Sequence, residues 1–303
     1  LASSIQSFAL IFQGSQPMLV TRTVEELREA LASLDSSKGK EGGLVPTMGA
    51  LHEGHGALMR VARQSTAWVA ATIFVNPLQF NRPDDLAKYP RREEEDFRFL
   101  QEHEVDLVFA PSPEVVFPHD WVAPDLDLNG LDLPWEGAFR PGHFKGVATV
   151  VSRLLDLIPC TRLYMGLKDY QQCLVVERLL HLRKAKLGLP GPAMVQVPTV
   201  RDADGLALSS RNLLLAPDQL ARAKGIARTW SWMKAHGQGL EQEVLIERAL
   251  ERLTAEGLRN EYLALVRDGS LDPWKRGDGP PRALYAGWLD EVRLIDNESL
   301  PIP

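Results

Sequence analysis

Ala67-Trp68-Val69-Ala70-Ala71-Thr72-Ile73-Phe74-Val75 is a continuous run of apolar character, with no polar alternation along it. Such a strand offers neither face to water, so it belongs inside a parallel sheet covered by helices on both sides. The chain before it has the matching rhythm. Gly43-Leu44-Val45 reads as the end of another buried strand. After residues 46–55, the side chains Ala57, Leu58, Val61 and Ala62 recur at helical spacing among Arg60, Arg63 and Gln64. Upstream, Leu19-Val20 reads as a strand, and Thr23 with Glu26 as a capping box for a helix over residues 24–34.

Strand, loop and helix keep alternating. Residues 92–103 read as a helix with Phe97 and Leu100 inward, and 105–109 as a strand. Residues 111–135 are rich in proline and acidic side chains and read as a long surface excursion. Val147, Val150, Val151, Leu154, Leu155 and Ile158 mark one helical face. Residues 163–165 read as a short strand, a helix opens within 166–172 and runs to about 182, and 195–200 is a strand interrupted by Pro198. From Met18 to about Pro198 this implies a parallel sheet with right-handed crossovers. After Ser209 the pattern changes: 218–233 and 241–253 are helical, while 261–266 and 282–289 are strand-like. The expected fold is α/β: a Rossmann-like doubly wound parallel sheet over residues 18–198, then a second, smaller α+β domain over 199–303.

At 303 residues, 45% hydrophobic and 24% charged, the chain has ordinary globular composition and enough length for these two domains. A net charge of −6 leaves no basic footprint for nucleic acid, so any anion site is local. Cys160 and Cys173 are the only cysteines. They make neither a disulfide framework nor zinc-ligand spacing, which points to a reducing compartment, the cytoplasm. Residues 1–17 hold a brief apolar run at 7–12, with no basic n-region and no long h-region. That run is too short to span a membrane, and the segment is expected to be an extension outside the fold.

Residues 46–55, Pro46-Thr47-Met48-Gly49-Ala50-Leu51-His52-Glu53-Gly54-His55, link a strand end to a helix start. In an open α/β sheet ligands bind just there. Free N–H groups at a helix N-terminus favour anions, and two imidazoles beside them can donate to phosphate oxygens. A metal is the weaker alternative for His52 and His55, since no third ligand lies nearby in sequence. Asn76 and Gln79 fall in a loop that Pro77 starts beyond the apolar strand. Lys168 and Asp169 also follow a strand, at a helix start. Lysine suits phosphate, while Asp169 is open to reading as a helix cap, a ribose ligand or a Mg²⁺ ligand. Ser209-Ser210-Arg211-Asn212 is loop chemistry that suits phosphate contacts, with Arg211 supplying a permanent planar charge.

Together these stretches resemble the pantoate–β-alanine ligase family, within the nucleotidyltransferases marked by His-x-Gly-His. The matching pieces are residues 46–55, 74–80, Asp85-Leu86 with Tyr89-Pro90-Arg91, 140–144, 168–172, 197–201, 209–212 and 293–297, in the family's order. The resemblance implies two steps. The carboxylate of pantoate attacks the α-phosphate of ATP, giving pantoyl adenylate and pyrophosphate; β-alanine then displaces AMP. It assigns His52, His55, Lys168, Ser209 and Arg211 to catalysis through the phosphates, and Met48, Gly166, Asp169, Val200, Leu208 and Ser210 to ATP. Pro46, Met48, Gln79 and Gln172 are assigned to pantoate. Two neutral amides orient a carboxylate without the ion pair that would blunt its nucleophilicity. Asn76, Arg140 and His143 lie near the cavity in this reading, and Asp85 assists Mg²⁺. The resemblance also implies a homodimer and a lid role for the second domain.

Three positions depart from the pattern. Leu167 stands where glutamate is expected, Ala207 where related nucleotidyltransferases carry lysine, and Leu78 where methionine is commoner. Ala207 favours the ligase over its relatives and places more demand on Lys168 and Arg211. An adenylyl- or cytidylyltransferase would need more positive charge at Gln79 and Gln172. A non-catalytic ATP-binding protein would make no AMP.

Overall fold

The computed structural model describes residues 18–188 and 191–302. The extension expected at 1–17 lies outside the described residues. Two compact units divide the chain. Of the described residues, the first takes those up to Leu128, Gly142–Gly166 and Val175–Val197. The second takes Asn129–Pro141, Leu167–Leu174 and the chain from Pro198 onward.

The first unit is built on six strands: β1 (Leu19–Thr21), β2 (Gly42–Val45), β3 (Trp68–Thr72), β4 (Leu107–Phe109), β5 (Arg162–Gly166) and β6 (Ala193–Val197). They lie in the order β1-β4-β3-β2-β5-β6, with every pairing parallel. The order reverses between β2 and β5, the topological switch point where ligands bind in such sheets. All five residues of β3 are buried, as the apolar run requires. The run outlasts the strand. Beyond Thr72, the Ile73 N–H still donates to the carbonyl of Phe109 at the end of β4, whereas that of Phe74 goes to the Thr47 carbonyl in the loop after β2, so the chain leaves the ladder after Ile73. β6 likewise stops at Val197, before Pro198.

The expected capping box is present: Thr23 Oγ1 accepts the Glu26 N–H, and the Glu26 carboxylate accepts that of Thr23. It starts the helix Val24–Lys38, which buries Leu27, Ala30, Leu31 and Leu34 along one stripe. Leu58, Met59 and Ala62 of Glu53–Ser65 and Phe97 and Leu100 of Glu93–Glu102 join Val45, Val69, Ala71 and Val108 in one core. Part of the expected surface excursion is buried instead. Pro113–Val116 forms a short helix with Val116 inside, and Leu128 is also buried. Pro83–Lys88 is a helix that the sequence pattern did not mark.

The second unit holds an antiparallel sheet, β7 (Arg259–Arg267), β8 (Pro281–Leu289) and β9 (Val292–Ser299), in that order. β9 was not expected as a strand because buried Asp296 and Asn297 interrupt its apolar alternation. Its core gathers Ile226, Trp230, Met233, Leu245, Ala249, Leu253, Leu265 and Tyr285. The helix expected over 218–233 divides into Pro217–Ala223 and Gly225–His236, consistent with the poor helix propensity of Gly225. Leu131, Trp135 and Leu167 pack against Tyr170, Leu174, Val266 and Leu284. No helix among the described residues is long and apolar enough to cross a membrane.

Candidate active site

In the first unit, residues 46–51 leave β2 beside the switch point. Half-buried Pro46 follows the strand. Thr47 fixes the next step: its N–H donates to Thr72 Oγ1 at 3.1 Å, and its own hydroxyl donates to the Thr72 carbonyl. The backbone then turns left-handed at Gly49 (φ 80°) and Ala50 (φ 50°). Asp96, buried on the helix Glu93–Glu102, receives the N–H groups of Ala50 at 2.9 Å and Leu51 at 2.8 Å.

His52 caps the helix Glu53–Ser65. Its Nδ1 accepts the Gly54 N–H at 3.1 Å, while Nδ1 of His55 accepts the His52 N–H at 3.3 Å. The two rings lie 4.2 Å apart. An imidazole nitrogen that accepts a backbone N–H carries no proton, so each neutral ring holds its proton at Nε2 and is a donor there. The geometry suits a donor pair for phosphate oxygens at a helix N-terminus.

Gln79 is held from three sides. Its amide donates to Met48 Sδ at 3.0 Å and accepts from Asn76 Nδ2 at 3.1 Å, and its carbonyl accepts from His143 Nδ1 at 2.8 Å. Buried Asn76 also donates to the Gly146 carbonyl at 3.1 Å and caps the turn Pro77–Gln79. The first unit therefore brings Met48, Asn76, Gln79 and His143 into one network. Asp85 sits half-buried on the helix Pro83–Lys88. Among the described residues, no group of three His, Cys, Asp or Glu side chains is placed to hold a metal ion.

In the second unit, Lys168, Ala207, Ser209, Arg211, Asn212 and Arg293 line one pocket. Lys168 and Asp169 lie in the turn Leu167–Asp169, with Lys168 Nζ 3.5 Å from Asp169 Oδ1. Gln172 is half-buried on the helix Tyr170–Leu187, while Gly166, the last residue of β5, belongs to the first unit. Leu208 donates its N–H to the Val200 carbonyl at 2.9 Å. Ser209 caps the turn Ser210–Leu214 by accepting the Arg211 N–H at 3.3 Å, and Ser210 is buried beside it.

Beneath Arg293 lies a charge network that the sequence did not reveal. Glu136 receives a bidentate pair from Arg293 at 2.6 and 2.9 Å, a bond from Arg140 at 3.3 Å and the Tyr262 hydroxyl at 3.2 Å. Glu261 takes two further Arg293 bonds. Burial opposes the charge on Arg293, but the hydrogen bonds and charges of both glutamates outweigh it and raise its pKa. Arg140 goes the other way: burial lowers its pKa, and the charges of Arg211 and Arg293 add to that against Glu136. No local signal marks Asp96, Glu136 or Glu261. Each is an acidic residue in an unexceptional context, and only its distant partners give it a role.

The family model described as pantoate-beta-alanine ligase matches residues 19–299. Pantothenate synthetases from Cereibacter sphaeroides and Thermus thermophilus are each 45% identical, over 92% of this chain and 98% of their own length. Among solved structures, pantothenate synthetase from Thermus thermophilus aligns with a TM-score of 0.84 at 44% identity, covering 94% of this chain and 100% of its own. Pantoate-beta-alanine ligase from Francisella tularensis, complexed with beta-gamma ATP and beta-alanine, aligns with a TM-score of 0.76 at 31% identity, covering 93% and 97%.

Proposed function

From the premise that the chain belongs to the pantoate–β-alanine ligase family and ligates pantoate to β-alanine at the expense of ATP, we propose how its side chains divide the work. The first step makes pantoyl adenylate. A carboxylate oxygen of pantoate forms a bond to the α-phosphorus, the bond from that phosphorus to the bridging oxygen breaks, and pyrophosphate leaves with the electron pair. In the second step the β-alanine amine attacks the acyl carbon, the bond to the adenylate oxygen breaks, AMP departs and the amine proton passes to solvent.

The observation that carries this reading is the mutual capping of His52 and His55. It keeps both Nδ1 atoms unprotonated and both rings as Nε2–H donors, suited to the charge that builds on the departing pyrophosphate. Lys168, Ser209 and Arg211, which share a pocket, hold the triphosphate, with Ser210 and the backbone at Val200 and Leu208 beside them. Asp169 takes the nucleotide. Gln79, oriented by Asn76 and Met48, and Gln172 take pantoate, with Pro46 and Met48 packing against it. No side-chain nucleophile enters, so rate comes from positioning and charge stabilisation.

Mg²⁺ belongs to the same reading and neutralises the triphosphate. The described acidic residues make no cage for it. Asp85 would be the carboxylate nearest such an ion, which would supply charge neutralisation to the phosphates. The family resemblance likewise supports a homodimer, and a sequence with only Cys160 and Cys173, which make no disulfide framework, accords with a cytoplasmic setting.

The test is an AMP assay with ATP, pantoate and β-alanine, each omitted in turn. The expected result is AMP only with all three, and pyrophosphate from ATP with pantoate alone. Equal ATP–pyrophosphate exchange with unrelated carboxylates or phosphoesters would overturn the substrate assignment.

A further inference from the structure

Asp96 is buried, 3% exposed, yet its carboxylate lies against a loop read as an anion site, where a negative charge opposes the ligand. Both its oxygens are engaged by consecutive backbone N–H groups, those of Ala50 and Leu51. Burial raises its pKa, and the hydrogen bonds from Leu51 and Ala50 partly restore the charged form. Its two oxygens thus face the inner side of the loop, and the donors absorb their charge.

Those donors sit at the point where the loop is least comfortable. Ala50 is left-handed without being glycine, a conformation that L-residues avoid. Gly49 before it is left-handed too, and a Cβ there would meet Asp96 Oδ2 at 2.8 Å. The carboxylate is packed directly against the turn. Thr47 anchors the loop at the strand end, and His52 begins the helix. Asp96 grips the middle, and Leu51, which it holds, is the residue before His52. Its own helix is seated in the core through Phe97 and Leu100, so the grip has a rigid base.

We propose that Asp96 is a positioning residue for adenylate formation: it locks the left-handed turn at Gly49 and Ala50 and so sets where the His52 and His55 imidazoles stand. The proposal rests on the reading of those histidines as phosphate donors, and its test separates the two.

Asp96→Asn keeps the shape and one acceptor oxygen but turns an amide N–H₂ towards one of the two backbone donors. On the folded variant, the ¹⁵N imidazole resonances of His52 and His55 are expected to shift. Pyrophosphate release from ATP and pantoate is expected to slow about tenfold or more, with KM for pantoate within about twofold of the parent. Imidazole resonances identical to the parent, or a loss confined to KM, overturn the proposal. If Asp96→Asn does not fold, the parent protein decides: the amide protons of Ala50 and Leu51 must follow one common carboxyl titration, and independent behaviour overturns the grip. Should His52→Ala keep the parent rate, the phosphate role of that histidine fails, while the resonance shift still decides whether Asp96 sets the loop.

Discussion

The side-chain amide of Asn297 donates to the carbonyl oxygen of Lys168 at 2.8 Å, and its second hydrogen goes to that of Leu167 at 2.9 Å. One residue of β9 thus holds the turn that presents Lys168. Its own oxygen accepts from Arg282 at 2.8 Å, which fixes the orientation of the amide. Asn297→Ala leaves two carbonyls and a guanidinium N–H short of a partner, a loss of about 2 kcal/mol. Urea unfolding should show it, and pyrophosphate release should slow about tenfold as Lys168 loses its footing. A destabilised variant with the parent rate would make Asn297 purely structural.

Two of the proposed phosphate-binding groups make a sharper test. His52→Ala and Lys168→Ala should each slow adenylate formation by about two orders of magnitude or more, the scale of losing one transition-state charge contact. Single-turnover pyrophosphate release measures it. A folded variant at the parent rate removes that residue from the mechanism.

Gly146 is a packing test of the pantoate side. A Cβ there would meet the Leu78 carbonyl oxygen at 2.2 Å, and backbone cannot swing aside as a side chain can. Gly146→Ala must therefore displace the turn Pro77–Gln79 and with it the Gln79 amide. KM for pantoate should rise about tenfold, with a lower Tm; displacement by about an ångström is enough. An unchanged KM would dissociate Gln79 from pantoate.

Asp268 supplies a pH dependence. The Arg282 hydrogen bond holds its carboxyl below the ordinary range, with the Arg282 charge and the Tyr170 hydroxyl adding to it against burial. The folded pKa lies below the unfolded one. The stabilisation is therefore complete above the unfolded value of about 3.9 and disappears as pH falls through the folded value. Half-exposure of Asp268 screens the pair, so the contribution is small. Tm scans from about pH 5 to about pH 3 should fall less steeply for Asp268→Asn than for the parent. Parallel curves would show that the carboxyl titrates alike folded and unfolded.

Most of the elements are legible in local chemistry. Thr23 and Glu26 announce a helix because a cap needs only residues three apart. The apolar run from Ala67 announces a central strand because burial on both faces leaves no polar positions. His52, Gly54 and His55 are legible for the same reason: their reciprocal capping closes within three residues. β9 escaped because its buried positions include, on opposite faces, Asp296, which answers Arg201 and Trp230, and Asn297, which answers the Lys168 carbonyl. The grouping of Asn129–Pro141 and Leu167–Leu174 with the later chain had no local mark either, since Leu131, Trp135 and Leu167 declare themselves only by what they pack against.

By itself, then, the sequence determined the alternation of elements, the α/β class, the family motifs and through them the reaction. Each of those is written over spacings of a few residues, where backbone geometry leaves few choices. Only the tertiary structure decided which ordinary acidic and amide side chains hold the motifs in place. Asp96 under the histidine loop, Glu136 and Glu261 around Arg293, and Asn297 beneath Lys168 act across 32 to 157 residues of chain. A carboxylate or amide in sequence looks the same whether it faces water or satisfies buried donors; burial and partner geometry, which exist only after folding, make the difference.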